Sequence, residues 1–295
     1  MKKIRPRTPR FPFDSKIPKY WFNDNPLASH MVNSLNLLFP DGEKMFIRAV
    51  RAFEDQLADP GLKERVKGFI AQETQHGREH ERYFDVLRAH GFELEGFLKF
   101  QNVLAYGVIE RLTSKSMSLA WTAALEHYTA VFAQWTLGRA TLRERSNPVM
   151  ADFLRWHSAE EIEHKSVAFD VLAAVAPGYA RRVTGLLLAS VSLTAFWAAG
   201  TVYLFQQDPE AHVKWEDFKR LYTEFLAHGT MGGAFFAYLK PGFHPSQIKN
   251  EQLAAEALSE LETTPAFRPG CSRSESSPLL DFRQRRISST SEYVV

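Results

Sequence analysis

With 295 residues, 45% hydrophobic and 24% charged, the chain is long enough to bury a sizeable core as one large or two small domains. Its 36 basic side chains against 34 acidic leave a formal net charge of +2, which argues against nucleic acid or an acidic substrate as partner. The one cysteine, Cys271, excludes an internal disulfide framework and any cysteine-based zinc or iron–sulfur site, and it fits a cytoplasmic, reducing setting.

Residues 1–10 carry Lys2, Lys3, Arg5, Arg7 and Arg10 without the apolar run that a secretion signal requires. They read as a solvated basic arm or as a contact for anionic lipid heads or a partner. Between Phe11 and Tyr20 the aromatics are spaced by Pro12 and Pro18, so residues 1–40 are expected to form an arm lying over the body of the protein. Pro40-Asp41-Gly42 reads as a turn and N-cap for a first helix over 41–58, which stops at Asp59-Pro60-Gly61. A second, antiparallel helix over 62–89 ends at His90-Gly91. A long helical region over 97–139, broken near Gly107, runs toward Asn147-Pro148, and a fourth helix over 148–176 stops at Pro177-Gly178.

After Arg181-Arg182 comes 184–205, about twenty uncharged residues, long enough to cross a bilayer but interrupted by Ser190, Ser192, Thr194, Gly200 and Thr201. It reads as a buried or interfacial helix, or as a span with the preceding arginines on the cytoplasmic side. Amphipathic character returns over 208–262, with Trp215, Phe218, Leu221, Tyr222 and Phe225 at helical spacing. From 263 to 295 serine, arginine and proline dominate and no apolar period survives, the composition of a disordered tail. No stretch sustains period-two alternation, and no phosphate loop or nucleophile elbow occurs. The class is therefore all-α, with residues 41–178 as a four-helix bundle followed by extra C-terminal helices.

Chemistry concentrates in His157-Ser158-Ala159-Glu160-Glu161-Ile162-Glu163-His164. At 100° per residue, His157, Glu161 and His164 share a face with Ala168 and Val171. Such a set buried without partners costs several kcal/mol, and a cation answers all of it at once. Glu73 and His76 sit one turn apart on an equally apolar stripe of Val66, Phe69, Phe84 and Leu87. Glu-x-x-His thus occurs twice, the pattern of a carboxylate-bridged dimetal site in which the other two helices each add one Glu. Accidental pairs on surface helices would not both fall on apolar stripes.

Glu126 supplies the first single carboxylate, in phase with Leu119, Thr122, Ala123 and Ala130. Glu43 supplies the second, in phase with Phe46, Val50, Phe53 and Leu57; Glu54 approaches the same face and is the alternative. Glu160 competes with Glu161, but only Glu161 has a histidine three residues on. His157, four residues before Glu161, is either a third nitrogen ligand or a packed neighbour of that carboxylate, and His80, four beyond His76, either orients a ligand or is one. His127, about 100° from Glu126, reads as a supporting or surface residue. Hard oxygens with imidazoles suit two iron ions, or manganese, over copper. Such a pair supports O2 reduction or hydrolysis, and spacing alone does not separate the two.

With these residues in view, the chain resembles the ferritin-like superfamily and, more closely, the bacterial family labelled predicted metal-dependent hydrolases. The likeness rests on Phe39-Pro40-Asp41-Gly42-Glu43, on Gln72 through His80, on Leu125-Glu126-His127-Tyr128-Thr129 and on Trp156-His157 through His164-Lys165. Pro241-Gly242-Phe243-His244-Pro245 resembles that family's C-terminal motif, and the likeness covers roughly residues 10–260. The His-x-x-x-Glu-x-x-His run of 157–164 is also similar to the di-iron arylamine N-oxygenases. That likeness implies O2 activation with Glu43, Glu73, His76, Glu126, His157, Glu161 and His164 as ligands. The expectation is a di-iron oxidoreductase acting on a small organic molecule with O2 and an electron donor, in a monomer or homodimer. A dimetal hydrolase of esters or amides is the alternative, and iron storage, which needs a closed many-subunit cage, the third reading.

Overall fold

The computed structural model describes residues 4–223 and 230–267, whose regular elements are all helices, with no strand among them. Helix α1 spans Pro26–Arg51, α2 Pro60–Ala89, α3 Glu95–Gln101, α4 Glu110–Leu112, α5 Lys115–Leu137, α6 Ala140–Arg145 and α7 Pro148–His164. Then follow α8 over Val167–Val175, α9 over Tyr179–Gln206, α10 over Trp215–Leu221, α11 over Thr230–Leu239 and α12 over Glu251–Leu261. Between α3 and α4 the chain widens into a π-helix over Asn102–Ile109.

Three long helices start alike: Asn25, Asp59 and Asn147 cap α1, α2 and α7 with side chains that accept from the first-turn backbone, each followed by a proline at the first helical position. At α5 Ser114 does the same for Met117 N. Helix α2 ends where Gly91 adopts φ 92°, a left-handed conformation that favours glycine.

The expected N-cap at residues 40–42 is not a helix start. Helix α1 begins at Pro26 and carries Pro40 in its interior. The missing N–H and ring of Pro40 disfavour the helix locally, but Asn33, Leu37, Pro40, Glu43 and Met45 are all buried, so packing overrides the breaker. The same helix ends at Arg51 rather than 58, and Glu54 falls in a 3-10 turn with no place in the interior. Nor is 26–40 an arm. The fourth expected helix is broken at Lys165-Ser166, where the Lys165 ammonium donates to Ile248 O, Asn250 Oδ1 and Glu251.

Two apolar clusters bracket a polar layer. One includes Leu37, Leu38, Tyr83, Phe84, Phe153, Trp156 and Ile162; the other Met45, Phe46, Val66, Phe69, Leu119, Ala123, Val167 and Val171. Helices α1 and α7–α8 pass from the first cluster to the second, and α2 and α5 pass the opposite way. Glu43 on α1, Glu73 and His76 on α2 and His164 on α7 fall at these passages.

The basic arm is solvated only in part: Arg5 and Arg10 are exposed, whereas Arg7 and Phe11 dock on the body, and Lys2 and Lys3 lie outside the described residues. Arg7 pairs with Glu160 and Glu163, and Phe11 is buried against Phe153 and Trp156. Among the described residues α9 is the one helix long and apolar enough to cross a membrane. One face of it, Arg182, Gly185, Leu186, Ala189, Ser192, Phe196, Gly200 and Leu204, is buried, and it packs along α5 and α1. A Cβ at Gly185 would lie 2.5 Å from Ala120 O, so glycine sets that approach. Arg182 itself is buried among Tyr179, Phe169 and Tyr238.

Gly232 and Gly233 lie inside α11 rather than punctuating the chain. The motif Pro241–Pro245 ties α8 to the C-terminal segment through His244 and Asp170. Of the expected tail, 263–267 packs on the arm, with Ala266 O accepting from Arg10 N; the rest, Cys271 included, lies outside the described residues.

Candidate metal centre

Four elements bring the carboxylates and imidazoles together. Glu43 comes from α1, Glu73, His76 and His80 from α2, Glu126 from α5, and His157, Glu160, Glu161 and His164 from α7, and all nine side chains are buried. Single donor atoms of Glu43, Glu73 and His76 lie within 4.8 Å of one another, as do those of Glu73, Glu161 and His164, of His76, His157 and Glu161, and of Glu43, His80 and His157. Glu126 stands beside these sets, its Oε2 3.4 Å from His164 Nε2.

The outward ring nitrogens are held. His76 Nε2 donates to Glu160 Oε2 at 3.0 Å, and Glu160 is anchored on its other oxygen by Arg7. His164 Nδ1 donates to Gln72 Oε1 at 3.0 Å, while the Gln72 amide donates to Glu163, again a partner of Arg7. These bonds leave His76 Nδ1 and His164 Nε2 as the ring nitrogens aimed inward. His76 Nδ1 is 3.6 Å from Glu161 Oε1, and His164 Nε2 is 3.0 Å from Glu73 Oε1. A second chain runs from Asn36 through His80 and His157 to Glu161, with steps of 2.8, 2.7 and 2.9 Å. Since the Asn36 oxygen accepts from His80 Nδ1, His80 Nε2 accepts from His157 Nδ1, and the 2.9 Å contact of His157 Nε2 with Glu161 is a hydrogen bond when a proton sits between the two. Thr129 donates to the other oxygen of Glu161.

Eight inward atoms have no hydrogen-bond partner among the described residues: both oxygens of Glu43, Glu73 and Glu126, with His76 Nδ1 and His164 Nε2. Buried orphans of this kind are costly, and all eight are carboxylate oxygens or imidazole nitrogens, atoms able to ligate a metal. This donor set fits a hard or borderline cation.

Protonation points the same way. Burial, reinforced by the Glu73 carboxylate, pushes Glu43 well above the usual range, and burial does the same to Glu126. Burial opposes charge on His76, but the hydrogen bond to Glu160 and the nearby carboxylates of Glu161 and Glu73 push it up to about 10. His164 is likewise raised, against burial, by Glu161, Glu73 and Glu126. Burial would raise Glu161, yet His164, His157 and His76 hold it well below the ordinary value. Burial and neighbouring imidazoles lower both His80 and His157. Protons on carboxyls and imidazoles thus balance the buried charge of the cluster, and a cation bound there would displace them.

Two expected residues lie elsewhere. His127 faces away, its Nε2 bonded to Ala234 O among Tyr238 and Phe243, and it is buried rather than at the surface. Glu54 touches none of the sets. Glu160 does not replace Glu161 but supports His76 from behind. Gln72, Asn36, Arg7 and Thr129 were not signalled by spacing. They are polar residues beside the motif whose partners lie far along the chain, so only the fold reveals them.

A family model described as predicted metal-dependent hydrolase matches residues 5–249. The chain belongs to that family. No curated protein and no solved structure matches it. The matched span of the hydrolase family model contains every residue of the buried cluster, together with Arg7 and the support residues behind it. Membership and the buried His/Glu sets together make metal dependence the chemical frame for the site.

Proposed function

We propose that this protein is a dimetal carboxylate enzyme of ferritin-like architecture. It holds two iron ions, or manganese, through Glu43, Glu73, His76, Glu126, Glu161 and His164, with His157 completing the set, and activates O2 to oxidise a small organic substrate. The observation that carries the reading is the convergence of eight unpartnered donor atoms from four helices on one interior. Glu43, Glu73 and Glu161 each belong to two of the donor sets, as do His76 and His157, so the sets are joined into one continuous cluster. Bound ferrous ions would supply the electrons that O2 reduction requires.

The chain's own residues do the rest. Glu160 and Gln72 fix the tautomers of His76 and His164, Thr129 orients Glu161, and the Asn36–His80–His157 chain can carry a proton to the edge of the centre. An apolar cavity reaches His157 and Glu161, and these are the only ionisable residues lining it. A gas and an apolar substrate partition into such a space, whereas hydrolysis needs water and a group to protonate the leaving atom.

The second reading, dimetal hydrolysis of an ester or amide, is favoured by the family description. His157 would then manage the proton. Anaerobic ferrous loading of the whole chain separates the two. The oxygenase reading expects close to two irons per chain, an optical change and O2 consumption on admitting air. Two ions indifferent to O2, with ester turnover under argon that stops on chelation, would establish hydrolysis instead. Glu161→Ala is expected to lose at least one ion, and full occupancy in that variant would remove Glu161 from the ligand list.

A further inference from the structure

Two cavities of about 70 Å³ each flank the centre and share Leu35, Phe39, Thr129 and Phe132 as a common wall. One is lined by Leu38, Phe46, Trp121, Leu125, Leu193 and Phe196, the other by Val32, Ala133, Trp135, Leu142 and Leu154 with His157 and Glu161. We propose that they form one bent tract for the unbranched hydrocarbon chain of a substrate with an uncharged head, whose reacting segment passes Thr129 beside Glu161. This rests on the metal-centre reading and names its substrate class.

Three observations carry it. The first is charge: the first lobe has no ionisable lining residue except the Tyr106 phenol, and the second has only His157 and Glu161. A phosphate or carboxylate would meet no cationic side chain in the first lobe and would face the Glu161 carboxylate in the second. The second is shape. Together the lobes match the roughly 150 Å³ of an apolar cavity that accepts a benzene-sized ligand, but they are divided at Phe39 and Phe132, so a slim flexible chain fits where a fused ring system does not. The third is the approach. Ala105 and Tyr106 of the π-helix line the first lobe, and the residues around them, Phe100, Val103, Leu104 and Val108, are exposed. Phe100 packs against Phe196, a wall residue of that lobe, with ring centroids 5.9 Å apart and the planes tilted by 58°. The outer surface of the tract's mouth is therefore apolar, and its cover is a widened helix of the kind found at functional sites.

The test uses straight-chain primary alcohols from four to twelve carbons, titrated into the full chain, both metal-free and iron-loaded, and read by calorimetry. Affinity is expected to rise about fourfold per added methylene, the transfer value for one buried CH2, and then to level off once both lobes are filled. Leu193→Trp fills the first lobe and Thr136→Phe the second. Each is expected to move the plateau to a shorter chain while leaving the iron count unchanged. An alkanoate of matched length is expected to bind the metal-free protein at least tenfold more weakly than the alcohol.

No dependence on chain length in the wild type, or an unchanged plateau in both variants, would overturn the proposal. So would tighter binding of the carboxylate to the metal-free protein. Because chain binding is read without metal and iron is counted without ligand, failure of the tract and failure of the dimetal reading give different results.

Discussion

Gly77 on α2 lies against the Glu43 carboxylate of α1, and a Cβ placed there would come within 3.0 Å of Glu43 Oε2. The glycine is therefore a site residue without a side chain. Alanine is the better helix former by about 1 kcal/mol, so Gly77→Ala is expected to keep or raise the melting temperature of the metal-free protein. The same substitution pushes Glu43 by a few tenths of an ångström, beyond the tolerance of metal–ligand distances of about 0.2 Å. Metal affinity is expected to fall on the order of tenfold. Calorimetric metal titration beside a thermal melt checks it: affinity and stability falling together would mean ordinary structural damage.

Gln72 links the Arg7–Glu163 pair to His164 and fixes which imidazole nitrogen faces inward. Gln72→Leu keeps the bulk and deletes the bond, freeing His164 to rotate or to change tautomer. Partners of this kind contribute about 10–100-fold to metal affinity. Gln72→Glu also accepts from His164 Nδ1 but repels Glu163, so it is expected to recover part of the loss. Equal affinity of wild type and Gln72→Leu would show that His164 is oriented by packing alone.

The two Glu-x-x-His pairs were readable because a helix fixes residues three and four apart on one face, whatever surrounds it. Glu126 and Glu43 followed from the same period, and Glu43 was placed correctly on its face even though its helix starts fifteen residues before the expected cap. That error has a physical origin: Pro-Asp-Gly is a turn by local preference, and burial of the surrounding α1 residues overrides it. The supporting layer was not readable. Arg7 meets Glu160 across 153 positions and Gln72 meets His164 across 92, and no periodicity reports contacts of such separation. His127 shows the converse limit, since adjacency to Glu126 places it on another face of the same helix. The break at Lys165-Ser166 depends on carbonyl and side-chain acceptors from 248–251, equally remote.

Of the two readings of the apolar segment, only a membrane span would have put Arg182 at a cytoplasmic end; its guanidinium is packed among Tyr179, Phe169 and Tyr238 and donates to Lys240 O at 2.7 Å. Arg182→Met is expected to cost about 2–4 kcal/mol, from a lost charge-assisted hydrogen bond, a buried carbonyl left unpaired and lost cation–π contact. That corresponds to roughly 5–10 °C in melting temperature for a domain of this size. Arg182→Lys should recover less than half, because a point ammonium cannot both spread over the rings and reach the carbonyl. A melt of both variants decides it, and a lysine variant as stable as wild type would show that charge alone suffices.

Far from the centre, Asp208 accepts from Lys19, Tyr20 and the buried His30. Burial would raise its carboxyl, but hydrogen bonds from these three and the Lys19 charge hold it below the ordinary value. Burial lowers His30 despite Asp208. In both cases the unfolded chain binds its proton at higher pH than the folded one, so acid favours unfolding. The histidine's share is complete above its unfolded value of about 6.5, and the carboxylate's above about 4; each is lost as pH falls through the lower folded value. Asp208→Asn should therefore melt below the metal-free wild type at pH 7, by about 2–3 kcal/mol for a largely buried pair. The gap should narrow as pH falls from 5 toward 3, where the wild type loses the same charge. Parallel melting curves across that range, with a gap that stays constant, would mean that Asp208 acts by shape and neutral hydrogen bonding rather than by its charge.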